Sequence, residues 1–209
     1  MHKNLDELIR QAQSIILAEA EAVKAFAGQL DNSLLDIIQW LLKCNGHVLV
    51  TGAGTSHAVA QRFAHLLSCS GTPALCMNAG DALHGGSGAI TADDVVYVIS
   101  KGGSSDEVNN LVKIARSRGA KVIAQTENAI SPLARMSDGV FLVKAPNDVD
   151  PYGMVATGSS LVNCAAGDVL CALLMELRGY TKAAFAETHP GGAVGLKIKL
   201  TQEENNGSV

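Results

Sequence analysis

The chain is short of aromatic residues, clustered cations and paired cysteines, and each shortage closes off a class of function. Aromatics make up 4% of the 209 residues, too few for a platform on which single-stranded nucleic acid could stack. The formal net charge is -4 and no run of Lys or Arg occurs, so the clustered cations that neutralise a nucleic-acid backbone are missing as well. Five cysteines (Cys44, Cys69, Cys76, Cys164 and Cys171) include no Cys-x-x-Cys spacing. Each has apolar or helical neighbours, which reads as reduced core thiols rather than metal ligands or nucleophiles. The longest apolar stretch, Leu161 to Leu177, is broken by Asn163, Asp168 and Glu176, which would be costly in lipid. It is expected to be a buried helix of a soluble protein with no membrane partner. Met1 to Glu7 has no apolar signal-peptide core and too much acid for a transit peptide, so a cytoplasmic protein is expected.

What is present is a large apolar fraction, 47%, enough for one well-cored domain at this length. Leu5, Leu8, Ile9, Ala12, Ile15, Ile16, Val23 and Phe26 recur at helical spacing, so the first thirty residues read as an amphipathic helix. Asp31-Asn32-Ser33 supplies caps for a second helix through Trp40 and Leu42, stopped by Asn45-Gly46. Strands then alternate with helices: strands at 47–51, 74–77, 95–100, 122–125 and 140–143, and helices at about 58–70, 107–118 and 157–178, with a short turn or helix after Pro132. That alternation implies a parallel sheet covered on both faces. The expected division is N-terminal helices over 1–45, packing on the domain or on a partner subunit, an α/β domain over 46–200, and a disordered tail over 201–209.

Two strand ends carry hydroxyl- and glycine-rich loops followed at once by a helical pattern: Val50-Thr51-Gly52-Ala53-Gly54-Thr55-Ser56 and Val98-Ile99-Ser100-Lys101-Gly102-Gly103-Ser104-Ser105. Small residues let backbone amides approach a ligand, and a helix N-terminus favours an anion. The glycines alone would also serve two tight turns, and one of Ser100, Ser104 and Ser105 is expected to be a cap. Two such loops together point to a phosphorylated small molecule, with Lys101 supplying a cation. A nicotinamide site fits poorly: His57 stands where the fingerprint needs a small residue, and the next strand ends Cys76-Met77-Asn78 with no acid for a ribose. Gly-Lys-Ser/Thr is missing, so it is no P-loop either. Two histidines sit in glycine-rich segments, His84 in Gly80–Gly86 and His189 in Thr188–Gly195, and imidazole titrates near neutrality, which suits proton transfer. Asp168, in an apolar helix, is read as structural and in need of a partner.

The two loops and the ending His189-Pro190-Gly191-Gly192-Ala193-Val194-Gly195 together resemble sugar isomerase (SIS) domain proteins, and with Leu83-His84-Gly85 the arabinose 5-phosphate isomerase branch above all. The resemblance runs from about Leu30 to Leu200. It implies a flavodoxin-like three-layer α/β/α sandwich with a five-stranded parallel sheet, assembled as a homodimer or homotetramer with sites near subunit interfaces. It further implies that Gly54, Thr55, Ser56, Ser100, Lys101, Gly102 and Ser105 surround the phosphate of a phosphorylated monosaccharide while His84 and His189 face the sugar, without a redox cofactor or a metal. The chain departs from that branch, which typically carries Lys at the position of Thr55, Ser at Gly102 and Glu at Ser104; another acid of the family falls near Asp148. Paired CBS domains, often present there, are not expected here.

The reading is an aldose–ketose isomerase of pentose 5-phosphates working through a cis-enediol. His189 is assigned as base and His84 as acid or ring-opening group, roles that can be exchanged. The competing reading is a non-catalytic phosphosugar-binding or sensor protein, compatible with the departures at Thr55 and Ser104.

Overall fold

Five short, mostly apolar runs form the strands of the computed structural model, which describes residues 4–145, 148–192 and 195. The tail at 201–209 and residues 193 and 194 of the C-terminal motif lie outside the described residues. The strands are β1 (Val48–Gly52), β2 (Ala74–Asn78), β3 (Val95–Ile99), β4 (Lys121–Thr126) and β5 (Gly139–Leu142), all parallel, in the order β2-β1-β3-β4-β5. The helices are α1 (Leu5–Phe26), α2 (Ser33–Leu42), α3 (Thr55–Cys69), α4 (Ala79–Ala82), α5 (Asp106–Ser117), α6 (Pro132–Met136), α7 (Gly158–Leu177) and α8 (Lys182–Thr188).

Strand alternation sorts the core into two faces. Val48, Val50, Tyr97, Ile123 and Phe141 point to one side, against Phe26 of α1, Leu41 of α2, Phe63 of α3 and Leu170 of α7. Leu49, Val96, Val98 and Val122 point to the other, against Ala82 of α4, Leu111 of α5 and Leu133 of α6. The result is a three-layer α/β/α sandwich. The central strands β1 and β3 are buried at every position, as a sheet covered on both faces requires. Chain order reverses between β1 and β3, the neighbours from which the sheet grows in opposite directions, and ligands of such sheets sit beyond that point.

Several ends differ from the sequence pattern for identifiable reasons. α1 stops at Phe26 and gives way to a 3-10 turn at Ala27–Gln29. Gly28 weakens helix there, and the Gln29 side chain is drawn off to Lys144, donating to its carbonyl at 2.8 Å and accepting from its N–H at 2.9 Å. At α2, Asn32 is the cap residue but its side chain makes no capping bond; Asp31 Oδ1 accepts from Ser33 N instead, at 2.8 Å. Residues 79–82, which read as loop, form α4 because Asn78 caps it, accepting from Asp81 N at 3.1 Å. α8 has no counterpart in the sequence pattern; Thr181 caps it, accepting from Ala184 N at 3.1 Å. At the far edge, a Cβ on Gly139 would run into the Trp40 ring, so β5 can lie under α2 only with glycine there.

α7 is long and apolar enough to cross a membrane by length and composition alone. Here it buries Val162, Ala166, Leu170 and Leu174 against the sheet layer and packs on α1 and α3. Asp168 neither caps a helix nor lies buried: it accepts from Arg62 Nη1 and Nη2 of α3 at 2.6 and 3.1 Å on a half-exposed face.

Candidate active site

Each loop is shaped by glycines that no other residue could replace. A Cβ on Gly52 would meet the Ile99 carbonyl at 2.8 Å and the Ser56 carbonyl group at 2.9 Å, backbone on both sides that cannot give way. Gly54 has φ 56° and ψ -130°, a conformation open essentially to glycine alone, and it turns the chain so that Thr55 opens α3. In the second loop Gly103 has φ 65°, and a Cβ there would collide with Ser131. Lys101 is anchored by its carbonyl, which accepts from Glu127 N at 3.1 Å and Thr126 Oγ1 at 2.8 Å. Ser105 is the cap residue of α5, yet its hydroxyl makes no capping bond. Among the described residues, none accepts a hydrogen bond from the amides of Gly102, Gly103, Ser104 or Ser105. A row of free N–H groups running into a helix N-terminus is a seat for an anion.

The loops meet a third element. Thr55 and Ser56 from α3, Lys101 from the second loop, and Ser159, Ser160 and Asn163 from the first two turns of α7 line one cavity, closed by Val59 and Ala156. Its volume, about 30 Å³, holds a water-sized group such as one phosphate oxygen, so a whole ligand must extend beyond it. Two helix N-termini and a cation converge on this point. Asp148 sits beside it with its side chain 4% exposed; one oxygen accepts from Ser159 N at 2.9 Å and the other faces Lys101 Nζ at 3.2 Å. Burial alone would raise the carboxyl's pKa, but the bonds from Ser159 and the Lys101 ammonium outweigh it and hold the group below the usual carboxylate range. Asp148 is thus a fixed anion that satisfies the α7 terminus and orients Lys101, and a poor proton acceptor while so engaged.

Of the residues singled out from sequence, Thr55, Ser56 and Lys101 come together in the cavity. Ser100, Gly102 and Ser105 share the loop of Lys101 but do not line it, and Gly54 shapes the turn. Neither histidine lines it. His84 is exposed just beyond α4, its N–H donating to Asp81 O at 3.0 Å. His189 follows α8, its ring stacked on Phe185 with centroids 3.8 Å apart. The Phe185 carbonyl lies 3.0 Å from His189 Nδ1; a carbonyl can only accept, so the neutral ring carries its proton on Nδ1 and leaves the Nε2 lone pair free. His57 stands in the first turn of α3 with its Nδ1 3.8 Å from Cys76 Sγ.

Ser159, Ser160 and Asn163 are not marked by the sequence pattern. Thr157-Gly158-Ser159-Ser160 has the same small and hydroxyl-bearing composition as the other loops, but no β-branched run precedes it, and the apolar helix behind it draws the reading toward the core. The five cysteines are free; burial raises the thiol pKa values of Cys44, Cys76 and Cys164 and pushes Cys171 up to about 12. Among the described residues no three His, Cys, Asp or Glu side chains gather as a metal site would need. A larger open depression of about 450 Å³ lies at the ends of β4 and β5, bordered by Glu127, Ile130 and Lys144. We place the site at the smaller cavity, where two helix termini, several hydroxyls and Lys101 converge.

The SIS domain model matches residues 41–173. The arabinose 5-phosphate isomerase KdsD of Pseudomonas aeruginosa is 34% identical over 204 residues, a match covering 98% of this chain and 62% of that protein. The chain therefore spans about three fifths of the length of that curated relative. Among solved structures, a candidate sugar-phosphate isomerase from Listeria monocytogenes superposes with TM-score 0.88 at 30% identity, covering 91% of this chain and 100% of that one. An Escherichia coli protein solved in complex with arabinose 5-phosphate gives TM-score 0.87 at 28% identity, over 90% and 100% of the two chains.

Proposed function

The chain belongs to the SIS domain family, and on that footing we propose that it interconverts arabinose 5-phosphate and ribulose 5-phosphate through a cis-enediol. The observation that carries the reading is the meeting of Thr55, Ser56 and Lys101 with the α7 N-terminus, beside a row of amides at Gly102–Ser105 that have no acceptor among the described residues, at the C-terminal ends of β1 and β3. A phosphate dianion offers three acceptor oxygens to such donors. The similarity to an arabinose 5-phosphate isomerase and to a protein solved with arabinose 5-phosphate supports the sugar.

The chemistry then follows from what a proton shift needs. Phosphate held by the loops anchors the open-chain sugar and orients its C1–C2 bond, a positioning effect that supplies several kcal/mol. His189, with Nε2 unprotonated, takes the proton from C2 of the aldose. The C2–H electron pair becomes the C1–C2 double bond, and the C1 carbonyl oxygen gains a proton from His84. The proton on O2 then passes to His84, restoring it, as the proton held by His189 is delivered to C1, giving the 2-ketose with no net gain or loss of atoms or electrons. The protein works as a homodimer or homotetramer, and the cytoplasm is its expected location.

Incubation with arabinose 5-phosphate while ketose formation is followed tests the assignment. Accumulation of ribulose 5-phosphate up to an equilibrium mixture is expected from the protein and not from buffer. Binding without ketose formation would favour a phosphosugar-binding protein.

A further inference from the structure

Tyr97, Gln125 and Asn163 form a buried polar chain across the sheet-to-α7 interface, where apolar side chains would be the ordinary choice. Tyr97 lies in the middle of β3 and Gln125 in β4, both 0% exposed, while Asn163 is 9% exposed and reaches the cavity wall. Tyr97 Oη donates to Gln125 Oε1 at 2.7 Å. Gln125 Nε2 donates to Asn163 Oδ1 at 2.7 Å and to the Asn163 carbonyl at 3.2 Å. Asn163 Nδ2 donates to the Ser159 carbonyl at 2.7 Å, one turn back along α7.

The polarity of this chain is fixed by its last member. The Ser159 carbonyl can only accept, so Asn163 must present Nδ2 to it and Oδ1 to Gln125. Gln125 must then offer Nε2, which leaves Oε1 to accept from the Tyr97 phenol. Every link has one allowed direction, and the amide of Gln125 is held at three points. A fully satisfied network in so dry a place is rigid, because any slip of α7 along or around its axis strands buried donors. One turn on, Gly167 lets α7 pack closely on α3: a Cβ there would meet the Phe63 ring at 2.9 Å.

The network ends at the functional end of α7. Ser159 carries both the carbonyl held by Asn163 and the N–H that binds Asp148, and Asp148 in turn holds Lys101. We infer that Gln125, clamped by Tyr97, is a positioning residue for the ligand site, setting the register of α7 so that Ser159, Ser160, Asn163 and the Lys101–Asp148 pair face the bound phosphosugar. This rests on the proposed function for the ligand, though the register it describes exists without one. Neither Tyr97 nor Gln125 lines the cavity, so their effect is carried by α7.

The test is the double variant Tyr97→Phe/Gln125→Met, which removes both remote polar groups at nearly constant volume and leaves Asn163 Oδ1 as the one group without its donor. One acceptor left without a donor near the protein interior lowers stability modestly, so melting about 2–10 °C below the parent is expected, with the variant still folded at the temperature of measurement. Amide exchange in the first turn of α7, residues 159–163, should quicken about tenfold in the ligand-free protein, and affinity for arabinose 5-phosphate by calorimetry should fall about fivefold. A purely structural role would quicken exchange evenly across the core in step with the lowered melting temperature and leave the affinity of the folded variant unchanged. Unchanged exchange in a folded variant, or unchanged affinity where the parent binds, overturns the inference. Failure of the parent to bind would count against the proposed ligand alone, and the exchange comparison would still decide the role of Gln125. Should the double variant fail to fold, Tyr97→Phe alone is measured the same way, with the same two results required.

Discussion

In the proposed function single residues carry the anion chemistry, and their effects should separate cleanly. Ser100→Ala and Ser105→Ala each remove a hydroxyl from the second loop; a hydrogen bond to a charged group is worth about 1.5–3 kcal/mol, so affinity for arabinose 5-phosphate should drop by roughly tenfold or more. Unchanged affinity for both inorganic phosphate and the sugar phosphate would remove them from the site. His189→Ala should lose turnover by about a hundredfold or more while keeping that affinity, and near-normal turnover would take His189 out of the mechanism. At this scale the sequence was informative where chemistry is local: Gly52, Gly54 and Gly103 were marked by composition, and each sits where a side chain would clash or strain. Gln125 and Asn163 could not be read that way. A glutamine in an apolar run and an asparagine in an apolar helix say only that partners are needed; that they partner each other depends on how β4 and α7 cross.

Among the elements, α7 is where reading outward from the sequence stopped short. Its apolar periodicity identified a buried helix, but the same apolar content hid that its N-terminus faces the ligand cavity. The capping carboxylate comes from Asp148, eleven residues earlier than Ser159, beyond the range of any local capping pattern. Asp148→Ala should therefore cost about 0.5–2 kcal/mol, the usual worth of a helix cap, seen as a lower melting temperature; an unchanged value would mean water replaces the carboxylate without loss. Asp94 does comparable work at the opposite end of the sheet, accepting from His47 N, Thr91 N and Thr91 Oγ1 at 2.7–2.9 Å. Its burial would raise the carboxyl's pKa, but these bonds and the nearby His47 bring it below the ordinary value. Both aspartates have folded pKa values lowered relative to about 3.9 in the unfolded chain. Their stabilisation is therefore complete above that value and is lost as pH falls through the folded values. Chemical denaturation should give nearly flat stability from about pH 5 to 8 as regards these groups and a decline below about pH 4. Asp94→Asn should flatten that decline, and an equally steep one would place the acid sensitivity elsewhere.

For the whole molecule, the layered sheet was legible because alternating strands and helices leave few arrangements that cover both faces, and all five strands lie within a residue or so of their expected spans. The ends of the chain were less so. Residues 80–86 and 188–195 read as glycine-rich loops around their histidines, yet Asn78 and Thr181 cap short helices that lead into His84 and His189. Both rings lie outside the cavity formed by Thr55, Ser56 and Lys101, so the proposed mechanism makes its strongest demand at the level of assembly and motion: phosphate seat and proton-transfer groups must act on one sugar. Solvent exchange reads that joint action directly. Proton NMR of the protein with ribulose 5-phosphate in heavy water is the measurement that tests it. The account predicts enzyme-dependent replacement of a C1 hydrogen by deuterium together with new aldose signals, both abolished in His189→Ala. Intact, phosphosugar-binding protein that leaves the C1 hydrogens unexchanged and forms no aldose would contradict it.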